Sequence, residues 1–183
     1  ANTAYQLIEG LKPGDKVLFP VDFVSSSIPE LVPQGEALMK HLMKKQGIKI
    51  VAVSFNDQGH IFAERILAAA KSAEKSYGTD FVNLGFVAGG EGALAGFLKD
   101  IRSVVKVDYT GKSLDTLPVM SGANSISDFQ AVVGAIASAG VGETAWIRQM
   151  GTLKVAFTFG TSTAAYSSNV PFIQAGQVKA ILP

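Results

Sequence analysis

The feature that most constrains the fold is a regular alternation of short apolar segments with longer amphipathic segments. The apolar segments have the length and composition of β-strands, and the clearest is Ile48 to Phe55 (IKIVAVSF). The segments between them have helical periodicity, as in the face shared by Phe62, Ile66 and Ala69. Strands that alternate with helices require crossover connections, which join parallel strands and cover the sheet on both faces.

The alternation predicts a single α/β domain over residues 1–183. The expected architecture is a three-layer one, with a mainly parallel sheet of five to six strands and a Rossmann-like or flavodoxin-like topology. The strand order stays open. The predicted strands are Lys16–Phe23, Ile48–Phe55, Phe81–Val87, Phe129–Ala137, Lys154–Phe159 and Gln177–Leu182.

Local signals add three expectations about the elements. Pro20 lies inside the first predicted strand and cannot donate to a neighbouring strand, so it predicts a bulge or irregular pairing. Ser27 and Glu30 have the spacing of a capping box at the start of the next helix, which Gly47 is expected to end. The segment 108–125 shows no regular pattern and is interpreted as a linker or lid.

Composition excludes several classes of protein. Apolar residues make up 48% of the 183-residue chain and charged residues 17%, which separates it from disordered chains. The formal net charge of +1 provides no field that would attract a nucleic acid, and no nucleic-acid partner is expected. The chain has no cysteine, so disulfides, thiolate metal sites and cysteine nucleophiles are excluded.

Polar residues and glycines follow several of the predicted strands. The carboxyl ends of parallel strands meet at one edge of a sheet, and ligands of open α/β folds bind beyond that edge. The sequence therefore predicts a ligand-binding surface there, although the same residue types also form ordinary turns and helix caps. This carboxyl-end rim consists of Asp22, Ser25, Asn56, Gly89, Gly90, Thr161 and Ser162.

The rim contains no complete catalytic motif. Asp22 could bind a metal, act as a base or cap a turn, and with Ser25 and His60 it could form a Ser-His-Asp set. A nucleophile elbow that would support this set is absent. The glycines from Gly85 to Gly92 do not have the dinucleotide-binding spacing, and no phosphate-binding loop exists. Neither a cofactor nor a metal is predicted.

Three stretches, 11–31, 81–104 and 173–179, resemble an uncharacterised family of bacterial membrane-anchored proteins. The resemblance implies one α/β domain between two membrane helices, on the extracytoplasmic face of the membrane. The chain also begins within a predicted helix and stops after a strand, so we expect an excised domain whose anchors are missing. Separately, Pro171 to Leu182 is similar to a C-terminal stretch of periplasmic solute-binding proteins.

Three functions follow from these observations. The first is a non-catalytic binding or scaffolding domain of a membrane-anchored protein, with a small molecule or another protein as its partner. The second is a small-molecule sensor or solute-binding module that uses the carboxyl-end rim. The third is a hydrolase that uses Asp22 and the nearby serines.

Overall fold

A computed structural model of the protein describes residues 2–137 and 140–183. This part of the chain forms one six-stranded sheet in which every pairing is parallel. The strands are β1 Lys16–Phe23, β2 Lys49–Ser54, β3 Phe81–Phe86, β4 Ala131–Ala137, β5 Ala156–Gly160 and β6 Ala180–Leu182. The helices are α1 Asn2–Glu9, α2 Ile28–Lys44, α3 Gly59–Ser72, α4 Gly90–Lys99, α5 Ile101–Val104, α6 Glu143–Met150 and α7 Thr163–Gln174.

The strand order is β3-β2-β1-β4-β5-β6. This is the order of the Rossmann fold and differs from the flavodoxin order, so the predicted α/β class is confirmed and its topology is Rossmann-like. The first three strands form one half of the sheet, from β1 near its centre to β3 at its edge. The chain then crosses back, so that β4 pairs with β1 and the last three strands form the other half.

The apolar core divides into two clusters that alternate along the strands. In β1, Leu18 belongs to one cluster, whereas Val17 and Phe19 belong to the other. Successive side chains of a strand point to opposite faces, so one cluster lies on each face of the sheet. Helices α2 and α3 contribute to the cluster of Val17, and α4 and α6 contribute to that of Leu18. This division supports the expected three-layer arrangement.

Pro20 does not interrupt the sheet, and the predicted bulge at this position is wrong. The β1–β4 pairing keeps one register from Val17 opposite Ala131 to Phe23 opposite Ala137. Gly134 explains the fit, because a Cβ there would lie only 2.6 Å from Cγ and 2.8 Å from Cδ of the proline ring. The glycine therefore leaves the space that the ring fills.

The irregular pairing occurs instead between β2 and β3. The register shifts by one residue between Ala52 and Ser54. On the opposite strand, Gly85 has a φ of +77°, a left-handed conformation that L-residues with a side chain rarely adopt. A bulge at this position bends the carboxyl end of β3 away from a straight ladder.

The start of α2 also differs from the prediction. Residues Ser25–Ser27 form a 3₁₀ turn, and Ser27 makes no side-chain capping bond. Glu30 instead accepts a hydrogen bond from the backbone N–H of Thr163 at 2.7 Å, so the prediction of a capping box is wrong. The helix ends at Lys44, three residues before Gly47, which has a φ of +72°. The Glu30 carboxylate, which the local pattern assigned to the cap, thus bonds a residue that is distant in the sequence.

The segment between α5 and β4 is packed against the core and is not a linker. It contains three 3₁₀ turns, Leu114–Thr116, Pro118–Met120 and Ile126–Asp128, and Met120 is fully buried. The Arg102 guanidinium donates to the carbonyl oxygens of Ala123 at 2.7 Å and Met120 at 3.1 Å. These bonds satisfy buried backbone acceptors and attach the segment to α5.

The two outer strands of the sheet differ in length and in covering. On the outer side of β3, the Phe81 carbonyl accepts from the Gly78 N–H at 2.8 Å, and the Asn83 carbonyl accepts from the Tyr109 N–H at 3.0 Å. The Asn83 side chain accepts from the Gly85 N–H at 2.8 Å. At the opposite edge, β6 contains three residues.

Candidate functional site

The carboxyl ends of the strands meet at one edge, and the contacts there join the ends of β1 and β2. The backbone N–H of Asn56 donates to Asp22 Oδ1 at 3.0 Å. The backbone N–H of Ser25 donates to Gln58 Oε1 at 2.9 Å, in the loop that follows β2. Three residues of the predicted rim, Asp22, Ser25 and Asn56, therefore lie in one connected group.

The rim residues that follow β5 form a second group, which contacts α2 and α6. The Thr161 hydroxyl is buried and donates to Glu143 Oε1 at 2.7 Å. The Thr161 carbonyl accepts from the side-chain amide of Gln34 on α2 at 3.1 Å. Ser162 is half-buried and precedes α7 without a side-chain capping bond. Within the described residues, the Thr161 hydroxyl thus bonds a buried group and the Ser162 hydroxyl does not.

Gly89 and Gly90 lie apart from both groups at the exposed start of α4. Their φ values of +115° and +62° are left-handed, which explains the choice of glycine at both positions. The next residue, Glu91, accepts from Arg148 at 2.6 Å and from Gln149 at 2.8 Å, so α4 is attached to α6. Within the described residues, no hydrogen bond joins these glycines to the other rim residues.

Asp22 is almost fully buried, with an exposed fraction of 1%. Its Oδ1 accepts from the backbone N–H groups of Phe55 at 2.6 Å and Asn56 at 3.0 Å, and from the Ser54 hydroxyl at 3.1 Å. Its Oδ2 accepts from the indole N–H of Trp146 at 2.6 Å. The Asp22 carboxylate thus joins β1 to the end of β2 and to α6 by hydrogen bonds within the core.

The environment of Asp22 affects its acidity in two opposite directions. Burial raises the pKa of Asp22 to about 6, whereas the hydrogen bonds from Trp146, Phe55, Ser54 and Asn56 lower it. The folded-state pKa therefore lies above the ordinary value of 3.8. A group of this kind stabilises the fold most below its unfolded-state pKa. That contribution is lost as the pH rises through 6.

We expect the protonation of Asp22 to be visible in the fluorescence of Trp146, which is the only tryptophan of the chain. The indole N–H contacts the carboxylate directly, so its emission should change with a midpoint near pH 6 in the folded protein. The control for this measurement removes both histidines of the chain. A His41→Gln/His60→Gln variant should keep the transition, and its loss in that variant would assign the change to a histidine instead.

The two histidines lie in different environments. His41 Nε2 lies 2.7 Å from Glu9 Oε1, and its ring stacks on Tyr5 with centroids 4.8 Å apart. His60 is at the start of α3, and its buried Nδ1 has no hydrogen-bond partner among the described residues. The four hydrogen bonds of Asp22 come from groups other than His60, so the geometry gives no Ser-His-Asp set. Among residues 2–137 and 140–183, no group of three or more acidic and histidine side chains could hold a metal ion.

A cavity that the sequence did not predict lies beside the carboxyl end of β3. We call it the β3-edge cavity; its volume is about 690 Å³. Its walls are the end of β3 and the extended chain that follows α5, with the first turn of α3 at one side. The lining residues are His60, Leu84, Gly85, Phe86, Val87, Ala88, Val104, Val105, Lys106, Val107, Asp108 and Tyr109.

Exposed apolar side chains concentrate around this cavity. Phe86, Val107 and Tyr109 line it and have exposed fractions of 43%, 45% and 46%. Ile61, next to His60 in sequence, is exposed by 61%. The other large apolar side chains exposed in the described residues are Tyr5 and Leu153. Apolar side chains exposed beside a concave surface are common at the binding sites of soluble domains.

The sequence contained a partial signal for this cavity. Val104, Val105 and Val107 are apolar and directly precede the segment 108–125, which was expected to be irregular and contains Tyr109. A pattern of this type cannot separate buried from exposed positions. The structure buries Val105 and exposes Val107 and Tyr109, which the sequence alone did not indicate.

No protein-family model matches the sequence, and a search of curated proteins found no relative. None of the described helices combines the length and the hydropathy that a membrane crossing requires. The resemblance to membrane-anchored proteins therefore stays a prediction from the sequence.

Proposed function

We propose that this protein is a non-catalytic binding domain and that the β3-edge cavity takes a small organic molecule with an apolar body and one hydrogen-bonding group. The observation that carries the proposal is the coincidence of a cavity of about 690 Å³ with three exposed apolar side chains, Phe86, Val107 and Tyr109. Cavities of 300–1,000 Å³ are typical of small-molecule sites.

The polar groups of the cavity define how such a ligand would be oriented. His60 lines the cavity and is half-buried, so its imidazole offers a hydrogen-bonding group to a ligand there. Asp108 is already occupied, because its Oδ1 accepts from the N–H groups of Thr110 and Lys112, each at 2.9 Å. The imidazole is thus the group best placed to fix the orientation of a ligand.

A binding function also agrees with the state of the carboxyl-end rim. Asp22 and Thr161 are buried and bonded within the protein, so a catalytic role would first require these bonds to break. The hydrolase alternative has no supporting contact. Attachment to a bacterial membrane on its extracytoplasmic face remains part of the proposal and is supported by the sequence resemblance.

The proposal is tested with Nile red, a neutral dye that fluoresces in apolar sites. We expect saturable binding to the wild-type protein and at least about tenfold weaker binding to a Phe86→Ser/Val107→Ser variant, because two apolar contacts are removed. Leu153→Ser is the matched control, since it removes an exposed apolar side chain outside the cavity. Equal binding by all three proteins would contradict the proposal.

A small-molecule thermal-shift screen then identifies the ligand class. A compound present at 100 times its dissociation constant adds about 2.7 kcal/mol to the free energy of unfolding, which corresponds to roughly 5–10 °C for a chain of this size. A His60→Phe variant should reduce the shift of any compound that bonds the imidazole. A screen without hits, combined with a protein that occupies the cavity, would favour a macromolecular partner over the proposed one.

A further inference from the structure

A second, smaller pocket lies on the other side of Tyr109, between α3 and the outer side of β3. We call it the tyrosine pocket; its volume is about 290 Å³. It shares Tyr109 with the β3-edge cavity, and its other lining residues are different. The lining residues are Glu64, Leu67, Lys71, Tyr77, Phe81, Tyr109, Thr110 and Lys112.

The walls of the tyrosine pocket are apolar and aromatic. Leu67 and Phe81 are almost fully buried, with exposed fractions of 2% and 1%. The Tyr77 ring is packed edge-on against the rings of Phe81 and Tyr109, with centroid distances of 5.5 Å and 6.3 Å. A ligand in this pocket would therefore contact hydrocarbon and ring surfaces over most of its body.

The polar groups that belong to these walls are already paired within the protein. The Tyr77 hydroxyl donates to Asp108 Oδ2 at 2.7 Å. Glu64 accepts from the Tyr109 hydroxyl at 3.0 Å through one oxygen and from the Asn83 side-chain amide at 2.8 Å through the other. These hydrogen bonds hold both tyrosines and leave no carboxylate oxygen of Glu64 without a donor.

Two lysines at the rim of the pocket are in a different state. Lys71 and Lys112 are exposed, and within residues 2–137 and 140–183 neither ammonium group forms an ion pair. With Glu64, the lining carries two positive charges and one negative charge, a net charge of +1. An anionic group placed between the two lysines would add charge-assisted bonds without displacing an existing partner.

We propose that the tyrosine pocket binds a small organic monoanion, with an apolar or aromatic body against Leu67, Tyr77 and Phe81 and a carboxylate or similar group between Lys71 and Lys112. Both halves of the ligand have a matching surface in the pocket. This inference does not rest on the proposed function, because the two sites differ in lining and in the charge of the expected ligand.

The test uses 4-phenylbutyrate and the uncharged 4-phenylbutanol, which share one apolar body, in calorimetric titrations of the full chain. We expect saturable binding of the carboxylate and about tenfold weaker binding of the alcohol. A Lys71→Gln/Lys112→Gln variant should bind 4-phenylbutyrate about tenfold more weakly than the wild-type protein. Lys44→Gln/Lys99→Gln removes the same charge from exposed lysines of α2 and α4 and should leave the affinity unchanged.

Three results would overturn the inference. Equal affinities for the carboxylate and the alcohol would show that the lysines do not recognise charge. An unchanged affinity in Lys71→Gln/Lys112→Gln, combined with a loss in Phe86→Ser/Val107→Ser, would place the compound in the β3-edge cavity. The absence of saturable binding at millimolar 4-phenylbutyrate would show that the pocket does not accept this class of anion.

Discussion

Replacing Asp22 with alanine is expected to lower the free energy of unfolding by about 3–5 kcal/mol. The side chain is 1% exposed and accepts from two backbone N–H groups, one hydroxyl and one indole. Alanine would leave the Phe55 N–H and the Trp146 indole N–H buried without an acceptor, and each unsatisfied donor costs about 1–3 kcal/mol. The Ser54 hydroxyl and the Asn56 N–H keep their bonds to the Asn56 carbonyl at 2.7 Å and to Ser54 Oγ at 3.2 Å. The loss should appear as a lower denaturant midpoint with an unchanged slope.

The neighbouring acid Asp57 is the matched control for this measurement. It lies in the loop after β2 and is exposed, so Asp57→Ala should change the free energy of unfolding by no more than about 0.5 kcal/mol. Asp22→Asn should also destabilise, because an amide that keeps an oxygen on Phe55 and Asn56 turns its NH₂ group toward the Trp146 donor. An Asp22→Ala protein as stable as Asp57→Ala would show that the hydrogen bonds of Asp22 do not contribute to stability.

The Gly59→Ala substitution is expected to destabilise the protein by about 3 kcal/mol or more, although alanine is the better helix former. A Cβ at the start of α3 would overlap the Val21 carbonyl oxygen and the Ser54 hydroxyl. Neither atom can move freely, since Val21 belongs to the central strand β1 and the Ser54 hydroxyl bonds Asp22. The helix would have to shift away from the sheet.

Gly92→Ala provides the control, because this glycine lies in α4 and a Cβ there would meet no atom within 4 Å. Only helix propensity differs here, and we expect the free energy of unfolding to rise by about 0.5–1 kcal/mol. Chemical denaturation of both variants under one set of conditions gives the comparison. Similar changes in the two proteins would mean that the contact of α3 with the sheet can relax.

The alternation in the sequence predicted the fold class, and β1 was placed with correct bounds, at Lys16–Phe23. The strand order was not predictable, because it depends on whether each crossover passes to the left or right of the preceding strand. The errors at Pro20 and Glu30 have one cause. In each case the deciding partner, Gly134 or Thr163, lies more than 100 residues away in the sequence.

The site was less predictable than the fold. The sequence placed polar residues at the carboxyl-end rim, and the structure brings Asp22, Ser25 and Asn56 together there. The sequence could not show that Asp22 is buried, because the donors that enclose it come from β2 and from Trp146. The β3-edge cavity depends on the path of an irregular segment, and such paths are set by packing rather than by local periodicity.

The covering of the β3 edge has a consequence for how the protein behaves at high concentration. An incoming strand from another molecule needs free N–H and C=O groups, and the carbonyls of Phe81 and Asn83 and the N–H of Gly85 are already bonded within the chain. The β3 edge is thus a poor template for strand pairing with a second molecule, and crowding should not promote polymerisation through this edge.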